Sequence, residues 1–216
     1  ALMAHFGAQP RWADERTIVV PATGYADCIA YAVEPDWSAA SYWYELVALS
    51  PDPATRIVLK GLTAESLQGD SAIAGLFQSL GVRTTFTDEG AVLTKADAVT
   101  RIKEMNLEDC PDLAQTIVST CAALHIPFRI TGLHSLKIKE TDRIAALQAE
   151  WAKMGVTMGA DGDSLWVEAY SPAAEAAAVA AVAGIALGIQ IAGAVIGGAP
   201  AAAVFFRQQR KHQGGK

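Results

Sequence analysis

The chain has 216 residues, of which 51% are hydrophobic and 19% charged, so it can bury a sizeable globular core. Its formal net charge of -6 and pI near 5.2 argue against a nucleic-acid partner. The four histidines and three cysteines match no metal-ligand spacing, so we predict no metal site and free thiols in a reducing cytoplasm: Cys28, Cys110 and Cys121.

The N-terminal residues carry no targeting signal that we recognise. A basic region followed by a long apolar run, as in a secretory signal peptide, is missing from the first residues. The sequence also begins without methionine, which we interpret as a start inside a longer protein.

The middle of the chain repeats one pattern of predicted elements, and the first copy begins near Tyr31. Apolar residues at helical spacing, Ile73, Leu76, Phe77 and Leu80, define the second helix of this copy. The pattern predicts a strand near 31–36, a helix from Ser38 to Leu49, a strand Arg56–Lys60, a Gly61-Leu62 turn, a helix ending at Gly81-Val82, and a hairpin of 83–87 and 91–94 around Asp88-Glu89-Gly90.

The second copy follows the same order. Pro111 and Asp112 suit a first helical turn, because proline lacks an amide hydrogen that the helix would not use and aspartate faces the positive end of the dipole. The predicted elements are a start at 107–112, a helix through about Leu124, a strand 128–131, a Gly132-Leu133 turn, a helix from about Thr141 to Gly155-Val156, and a hairpin around Asp161-Gly162-Asp163. Each copy is therefore predicted as βαβαββ, and the fold class as α/β built from repeats that share one core.

The C-terminal segment has a different composition. From Ala176 to Phe206 there is no charged side chain, and a basic tail follows. Length and the basic flank favour a membrane-spanning helix, whereas the content of alanine and glycine, Gln190 and Pro200 favour a buried or irregular segment. A third interpretation is that this segment is not the native continuation of the gene, and all three stay open at this stage.

Charged residues are dense at one predicted helix start. Lys139 and Arg143 lie four positions apart, so on a helical turn they would project from one face and could bind a phosphate or carboxylate. Glu140 could exchange protons, and Asp112 could lie across the gap. The alternative is a solvated face with weak local ion pairs.

Four segments resemble one known family. Leu136-Lys-Ile-Lys-Glu-Thr-Asp-Arg143 resembles the LR-x-KE-[ST]-DR signature of EPSP synthases, with Lys137 where an arginine is usual. Pro111-Asp112 matches the position of the family aspartate, Glu34 to Tyr42 resembles EGDASSASY, and Leu67 to Asp70 resembles the family's QGD. The resemblance covers about residues 1–168.

The resemblance implies a fold and a division of the chain. EPSP synthases have two domains, each of three βαβαββ units, with the active site between them. By analogy residues 1–33 are the end of one domain, 34–170 are two units of the other, and 171–216 lie outside the resemblance. The fold expected here is therefore an incomplete enolpyruvyl transferase fold.

The resemblance also implies a reaction. The family transfers the enolpyruvyl group of phosphoenolpyruvate to the 5-hydroxyl of shikimate 3-phosphate by addition and elimination, without a metal or organic cofactor. It implies that Asp112 takes the hydroxyl proton and binds shikimate 3-phosphate, Lys139 contacts both substrates, Glu140 protonates the methylene carbon, and Arg143 grips phosphoenolpyruvate. Ser135 stands where the family has an asparagine that binds shikimate 3-phosphate.

Several expectations and alternatives accompany this interpretation. The remaining family motifs are not found in this sequence, so we expect half of a composite site with weak binding and impaired catalysis. Alternatives are a relative acting on UDP-N-acetylglucosamine and a non-catalytic fragment, tethered to a membrane through 176–206. We expect a cytoplasmic chain, and self-association through apolar faces that a third unit would cover.

Overall fold

The computed structural model describes residues 2–22, 24–27, 30–99, 101–139, 141–171 and 174. The chain divides into two compact units at the boundary between Pro35 and Asp36. The smaller, N-terminal unit contains helix α1 (Leu2–His5) and an antiparallel pair of short strands, β1 (Arg11–Trp12) and β2 (Ile18–Val19). Edge-to-face ring contacts join His5 to Phe6 and to Tyr31.

The larger unit begins with the first repeat, residues 36–98. Asp36 caps its first helix, because its carboxylate accepts hydrogen bonds from the amides of Ser38 (2.8 Å) and Ala39 (3.2 Å). The elements are α2 (Trp37–Leu49), β3 (Arg56–Lys60), a 3₁₀ turn (Gly69–Ala72), α3 (Ile73–Leu76), β4 (Leu80–Thr87) and β5 (Gly90–Ala98). The three strands form an antiparallel sheet in the order β3-β5-β4.

Two details of the first repeat differ from the prediction. Residues 30–36 form no strand, so this repeat lacks its initial β element in the described part of the chain. The second helix is also short, and a turn follows it. The amide of Val82 donates to the Phe77 carbonyl (3.0 Å), and Gly81, the second residue of β4, has φ +84°. The predicted end at Gly81-Val82 is therefore the end of a capped turn rather than of a long helix.

The second repeat, residues 105–170, has the complete βαβαββ order that the sequence predicts. Its elements are β6 (Met105–Asn106), a 3₁₀ turn (Pro111–Leu113), α4 (Ala114–Ala123), β7 (Arg129–Thr131), a 3₁₀ turn (His134–Ile138), α5 (Arg143–Lys153), β8 (Val156–Ala160) and β9 (Leu165–Tyr170). The strands form one sheet in the order β6-β7-β9-β8, with β6 parallel to β7 and the other pairs antiparallel.

The core of the larger unit is shared by the two repeats. Helices α2 and α4 pack against each other and bury most of their side chains, and α2 also packs on strands β3, β4 and β5, whereas α5 buries only Ile144 and Trp151. The largest fully buried side chains come from both repeats: Trp37, Tyr44, Phe77, Leu93, Ile117, Ile130, Leu133 and Leu136. Because each fully buried side chain of this size contributes about 1.5–3 kcal/mol, the shared core holds the repeats together.

Some predictions concern residues outside those described. Glu140, Cys28 and the apolar segment 176–206 are among them. In the described part of the chain, no helix is long and apolar enough to cross a membrane, and no cluster of His, Cys, Asp or Glu could hold a metal ion. Cys110 and Cys121 are buried free thiols, and burial raises the pKa of Cys121 to about 12.

Candidate active site

Asp112 lies where β6 leads into the core helix α4. Parallel strands β6 and β7 end side by side, so the segments that follow them, 107–112 and 132–139, lie at the same end of the sheet. Pro111 begins the 3₁₀ turn that precedes α4, and Asp112 follows it within that turn. The carboxylate is 40% exposed, so it can both pair with protein cations and meet a ligand.

Lys139 and Arg143 converge on Asp112. The Lys139 ammonium nitrogen lies 3.1 Å from Asp112 Oδ1 and 3.3 Å from Oδ2. Arg143 Nη1 donates to the same Oδ1 at 3.0 Å. The three side chains are partly exposed, so the pairs themselves add little stability, about 0–1 kcal/mol each. The cluster therefore contributes little as a structural brace.

The backbone conformation that places Lys139 and Arg143 beside Asp112 differs from the one that their spacing predicted. Lys139 is extended (φ −72°, ψ −165°), and α5 begins only at Arg143. The expectation that both residues share one helical turn is therefore wrong. The reason is the Asp142 cap, whose carboxylate accepts from the Ala145 amide (3.0 Å) and starts the helix after the Lys139 segment.

Gln115 is a member of the cluster that the sequence analysis missed. In the amide orientation that gives both its atoms complementary partners, it donates to the Asp112 backbone carbonyl (2.7 Å) and accepts from Arg143 Nη1 (3.1 Å). Gln115 therefore links the turn that carries Asp112 to the guanidinium across the site. Its place three residues after Asp112 at a helix start is the one signal that could have identified it.

Ser135 and Glu140 complete the set of predicted site residues. Ser135 belongs to the 3₁₀ turn between Gly132 and Lys139, and its hydroxyl oxygen is buried without a hydrogen-bond partner among the described residues. A buried hydroxyl without a partner loses about 1–3 kcal/mol, so a ligand or water that bonds to it would be favoured. Glu140 lies outside the described residues.

The family-like segments 34–42 and 67–70 meet at the start of α2. The Trp37 amide donates to the Gln68 side-chain oxygen (2.9 Å), and the Ser38 hydroxyl donates to the Asp70 carboxylate. At Gly69, a Cβ atom would lie 2.7 Å from the Asp109 carbonyl, so only glycine allows this contact. Segment 67–70 thus joins the start of α2 to the loop that leads to Asp112.

Tyr42 extends the site region onto α2. The side chain is 42% exposed, and burial raises the pKa of Tyr42, with a further increase from the charge of Glu45. The Arg143 guanidinium lowers that pKa, so the phenol lies within electrostatic reach of the cation that pairs with Asp112. The Asp112 cluster thus presents two cations and one carboxylate, and the Tyr42 phenol lies within electrostatic reach of Arg143.

The chain matches one known protein family and relatives that carry that family's name. The family model for EPSP synthase (3-phosphoshikimate 1-carboxyvinyltransferase) matches residues 1–205. A 3-phosphoshikimate 1-carboxyvinyltransferase of Bacteroides fragilis is 48% identical over 164 residues, covering 76% of this chain and 39% of the relative. One of Methanospirillum hungatei is 36% identical over 118 residues, covering 54% of this chain and 27% of that relative.

Solved structures support the fold. An EPSP synthase from Acinetobacter baumannii superposes with a TM-score of 0.55 at 18% identity, over 77% of this chain and 39% of that one. A second structure from the same organism gives a TM-score of 0.53 at 17% identity, over 77% and 38%. The chain therefore spans about two-fifths of the length of the first two relatives and of these structures.

Proposed function

Because the chain belongs to the EPSP synthase family, we propose that it supplies one wall of an enolpyruvyl transferase site. The proposed reaction moves the enolpyruvyl group of phosphoenolpyruvate to the 5-hydroxyl of shikimate 3-phosphate. The relatives that it matches are named for that activity. The proposal covers the substrates as well as the reaction.

One observation carries the proposal. Asp112 Oδ1 accepts from both Lys139 (3.1 Å) and Arg143 (3.0 Å), and these are the residues that match the charged positions of the family motifs. The segments that hold them are far apart in the chain and are brought to the same end of the sheet by the parallel pairing of β6 and β7. A solvated charged surface would not require this convergence of three predicted site residues.

The cluster suits the addition step of the reaction. Substrate phosphate and carboxylate groups would compete with Asp112 for Lys139 and Arg143, and the planar guanidinium can bind a carboxylate or phosphate through two hydrogen bonds. Asp112, turned to the 5-hydroxyl, would accept its proton as the oxygen bonds to C2 of phosphoenolpyruvate. Lys139 would stabilise negative charge as the tetrahedral centre forms.

Two further residues have proposed roles. Glu140 would deliver the proton to the methylene carbon during addition and remove one during elimination, when the C2–phosphate oxygen bond breaks. Ser135 would donate its buried hydroxyl to shikimate 3-phosphate in place of the family asparagine. Its lack of a partner among the described residues supports this assignment.

We also propose which domain each part of the chain belongs to. Residues 1–33 would be the end of one domain and 34–170 two units of the other, so the chain would hold half of a composite site. An anion clamp needs groups on both walls to exclude water and align two polyanions. We therefore expect binding of shikimate 3-phosphate in the millimolar range and little turnover.

Calorimetric titration tests the proposal. The full 216-residue chain is titrated with shikimate 3-phosphate, with and without phosphoenolpyruvate, and with shikimate as the ligand that lacks the phosphate. We expect binding of shikimate 3-phosphate that weakens at least tenfold in Lys139→Ala and does not occur with shikimate.

Lys153→Ala is the matched control. Lys153 lies at the other end of α5 and pairs with the exposed Glu150 (2.6 Å), so its removal changes the net charge equally. If binding of shikimate 3-phosphate weakens equally in Lys139→Ala and Lys153→Ala, the loss follows from the change in net charge alone. That result would refute a site at Asp112. No binding by a chain shown to be folded would refute the proposed function.

A further inference from the structure

The segment that carries Ser135 and Lys139 is held by the hairpin turn between β8 and β9. The Asp163 carboxylate accepts from two backbone amides, those of Gly132 (Oδ2, 3.2 Å) and His134 (Oδ1, 3.2 Å). The Asp163 carbonyl accepts from the amide between them, Leu133, at 2.9 Å. Asp163 thus binds three consecutive amides at the beginning of the 3₁₀ turn His134–Ile138.

The turn that presents Asp163 is itself held firmly. Asp161 Oδ1 accepts from the amides of Asp163 (2.9 Å) and Ser164 (2.7 Å). Arg129, at the start of β7, donates to both Asp161 (3.3 Å) and Ser164 (3.2 Å). Asp163 therefore lies in a turn that is fixed by its own hydrogen bonds, and its bonds to segment 132–134 can in turn fix that segment.

The other side of this segment faces the approach to Asp112. Gly132 has φ +78°, and a Cβ atom there would lie 2.4 Å from Asn106 Oδ1 and 2.4 Å from the Glu108 amide. The Leu107 amide also donates to the Thr131 carbonyl (2.9 Å). Segment 132–134 is thus packed between the Asp163 turn and the loop that leads to Asp112, so its position sets the distance between the two halves of the cluster.

The first repeat offers an internal comparison. Its equivalent turn, Asp88-Glu89, is linked to the equivalent Gly61 through one backbone bond, from the Gly61 amide to the Glu89 carbonyl (3.2 Å). Within residues 36–98, which the structure describes throughout, the carboxylates of Asp88 and Glu89 accept no hydrogen bond. We call the hydrogen bonds from Gly132 and His134 to the Asp163 carboxylate the carboxylate clamp. The clamp is found only in the second of the two described repeats, the one that carries Lys139, so formation of a hairpin does not require it.

We propose that Asp163 is a positioning residue of the anion site: it holds Gly132–His134 so that Lys139, at the end of the same turn, reaches Asp112. This inference rests on the proposed function for the identity of the ligand, but not for the clamp itself. Three amides bound by one residue limit the rotation of the segment, and a carboxylate near the first amides of a helical turn is electrostatically favourable. Without the clamp, Lys139 would sample positions away from Asp112 and bind anions more weakly.

The test compares Asp163→Ala, Asp163→Asn and Asp88→Ala in the full chain. Asp88→Ala is the matched control, because it removes a hairpin carboxylate of the first repeat that accepts no hydrogen bond from the described residues. Affinity for shikimate 3-phosphate is measured by calorimetry, melting temperature by circular dichroism, and amide exchange of residues 132–139 by NMR. We expect at least tenfold weaker binding in Asp163→Ala, an intermediate loss in Asp163→Asn, which keeps one acceptor oxygen, and unchanged binding in Asp88→Ala.

The outcomes separate the clamp from the proposed function. Unchanged affinity in Asp163→Ala, in a chain whose wild type binds shikimate 3-phosphate, overturns the positioning role and leaves the proposed function intact. If the folded wild type binds no shikimate 3-phosphate, the proposed function fails. The rates of amide exchange then test separately whether Asp163 fixes the segment. Faster exchange in Asp163→Ala that extends to Leu136, whose amide donates to the Leu133 carbonyl at 2.9 Å, supports it. Faster exchange confined to Gly132 and His134 overturns it.

Discussion

Glu45 is a buried carboxyl group that should make the stability of the chain depend on pH. It lies on α2, is 2% exposed, and its Oε1 has no hydrogen-bond partner among the described residues. Burial raises the pKa of Glu45 from 4.5 to about 8. The folded chain therefore holds a proton here between pH 4.5 and 8 that the unfolded chain releases.

The sign and size of the effect follow from this difference. A raised folded-state pKa contributes stability that is fully present below pH 4.5 and is lost as the pH rises through about 8. Between pH 6 and pH 8, both above the pI near 5.2, the wild type should lose about 2 kcal/mol of unfolding free energy from this group. Glu45→Gln cannot ionise and should lack this loss.

Urea denaturation at pH 6 and pH 8 measures the effect. Glu45→Gln leaves an amide with unpaired atoms, which lowers stability equally at both pH values, so the difference between the two pH values is the quantity to compare. Glu104→Gln, at an exposed position, is the control and should follow the wild type. Parallel pH dependences of the wild type and Glu45→Gln would mean that the carboxylate has a partner or reaches water, and would refute the reasoning.

Three further substitutions test particular contacts. Gly132→Ala should destabilise the chain by at least about 2 kcal/mol in urea, because of the positive φ and the contact with Asn106, and a change below about 0.5 kcal/mol would show that the loop relaxes. Gln115→Leu should weaken shikimate 3-phosphate binding severalfold by calorimetry, since Arg143 loses a partner, and unchanged affinity would contradict that link. Asp36→Ala should lower the unfolding free energy by about 1 kcal/mol through loss of the α2 cap, and an unchanged urea midpoint would exclude that role.

Much of the fold was predictable because it is local. The repeated pattern of predicted elements located α2, α4 and α5, with Pro111 and Asp112 marking the start before α4, and the turn residues located both hairpins. The length of the second helix of the first repeat was wrong, because apolar spacing over residues 73–80 cannot distinguish a helix from a short helix followed by a capped turn. Whether residues 31–36 form a strand depends on pairing with a neighbouring strand. The sequence of one segment does not show whether such a partner lies beside it.

The candidate site was predicted in part. Asp112, Lys139 and Arg143 were placed together, although the expected shared helical turn for the two cations was wrong. The links made by Gln115 and Asp163 were missed, because each depends on which tertiary neighbour a common polar side chain meets. No periodicity or local propensity encodes such contacts.

Binding of shikimate 3-phosphate at the Asp112 cluster is tested most directly by NMR titration of the isotope-labelled full chain. The proposed site predicts that saturable changes in amide chemical shift centre on residues 112–115 and 134–143, and that they disappear in Arg143→Ala. A second basic surface provides the internal alternative: Arg101, Lys103 and Arg129 line a concavity at the end of β7 away from Asp112. Shifts centred there, or shifts that persist unchanged in Arg143→Ala, would contradict a substrate site at Asp112.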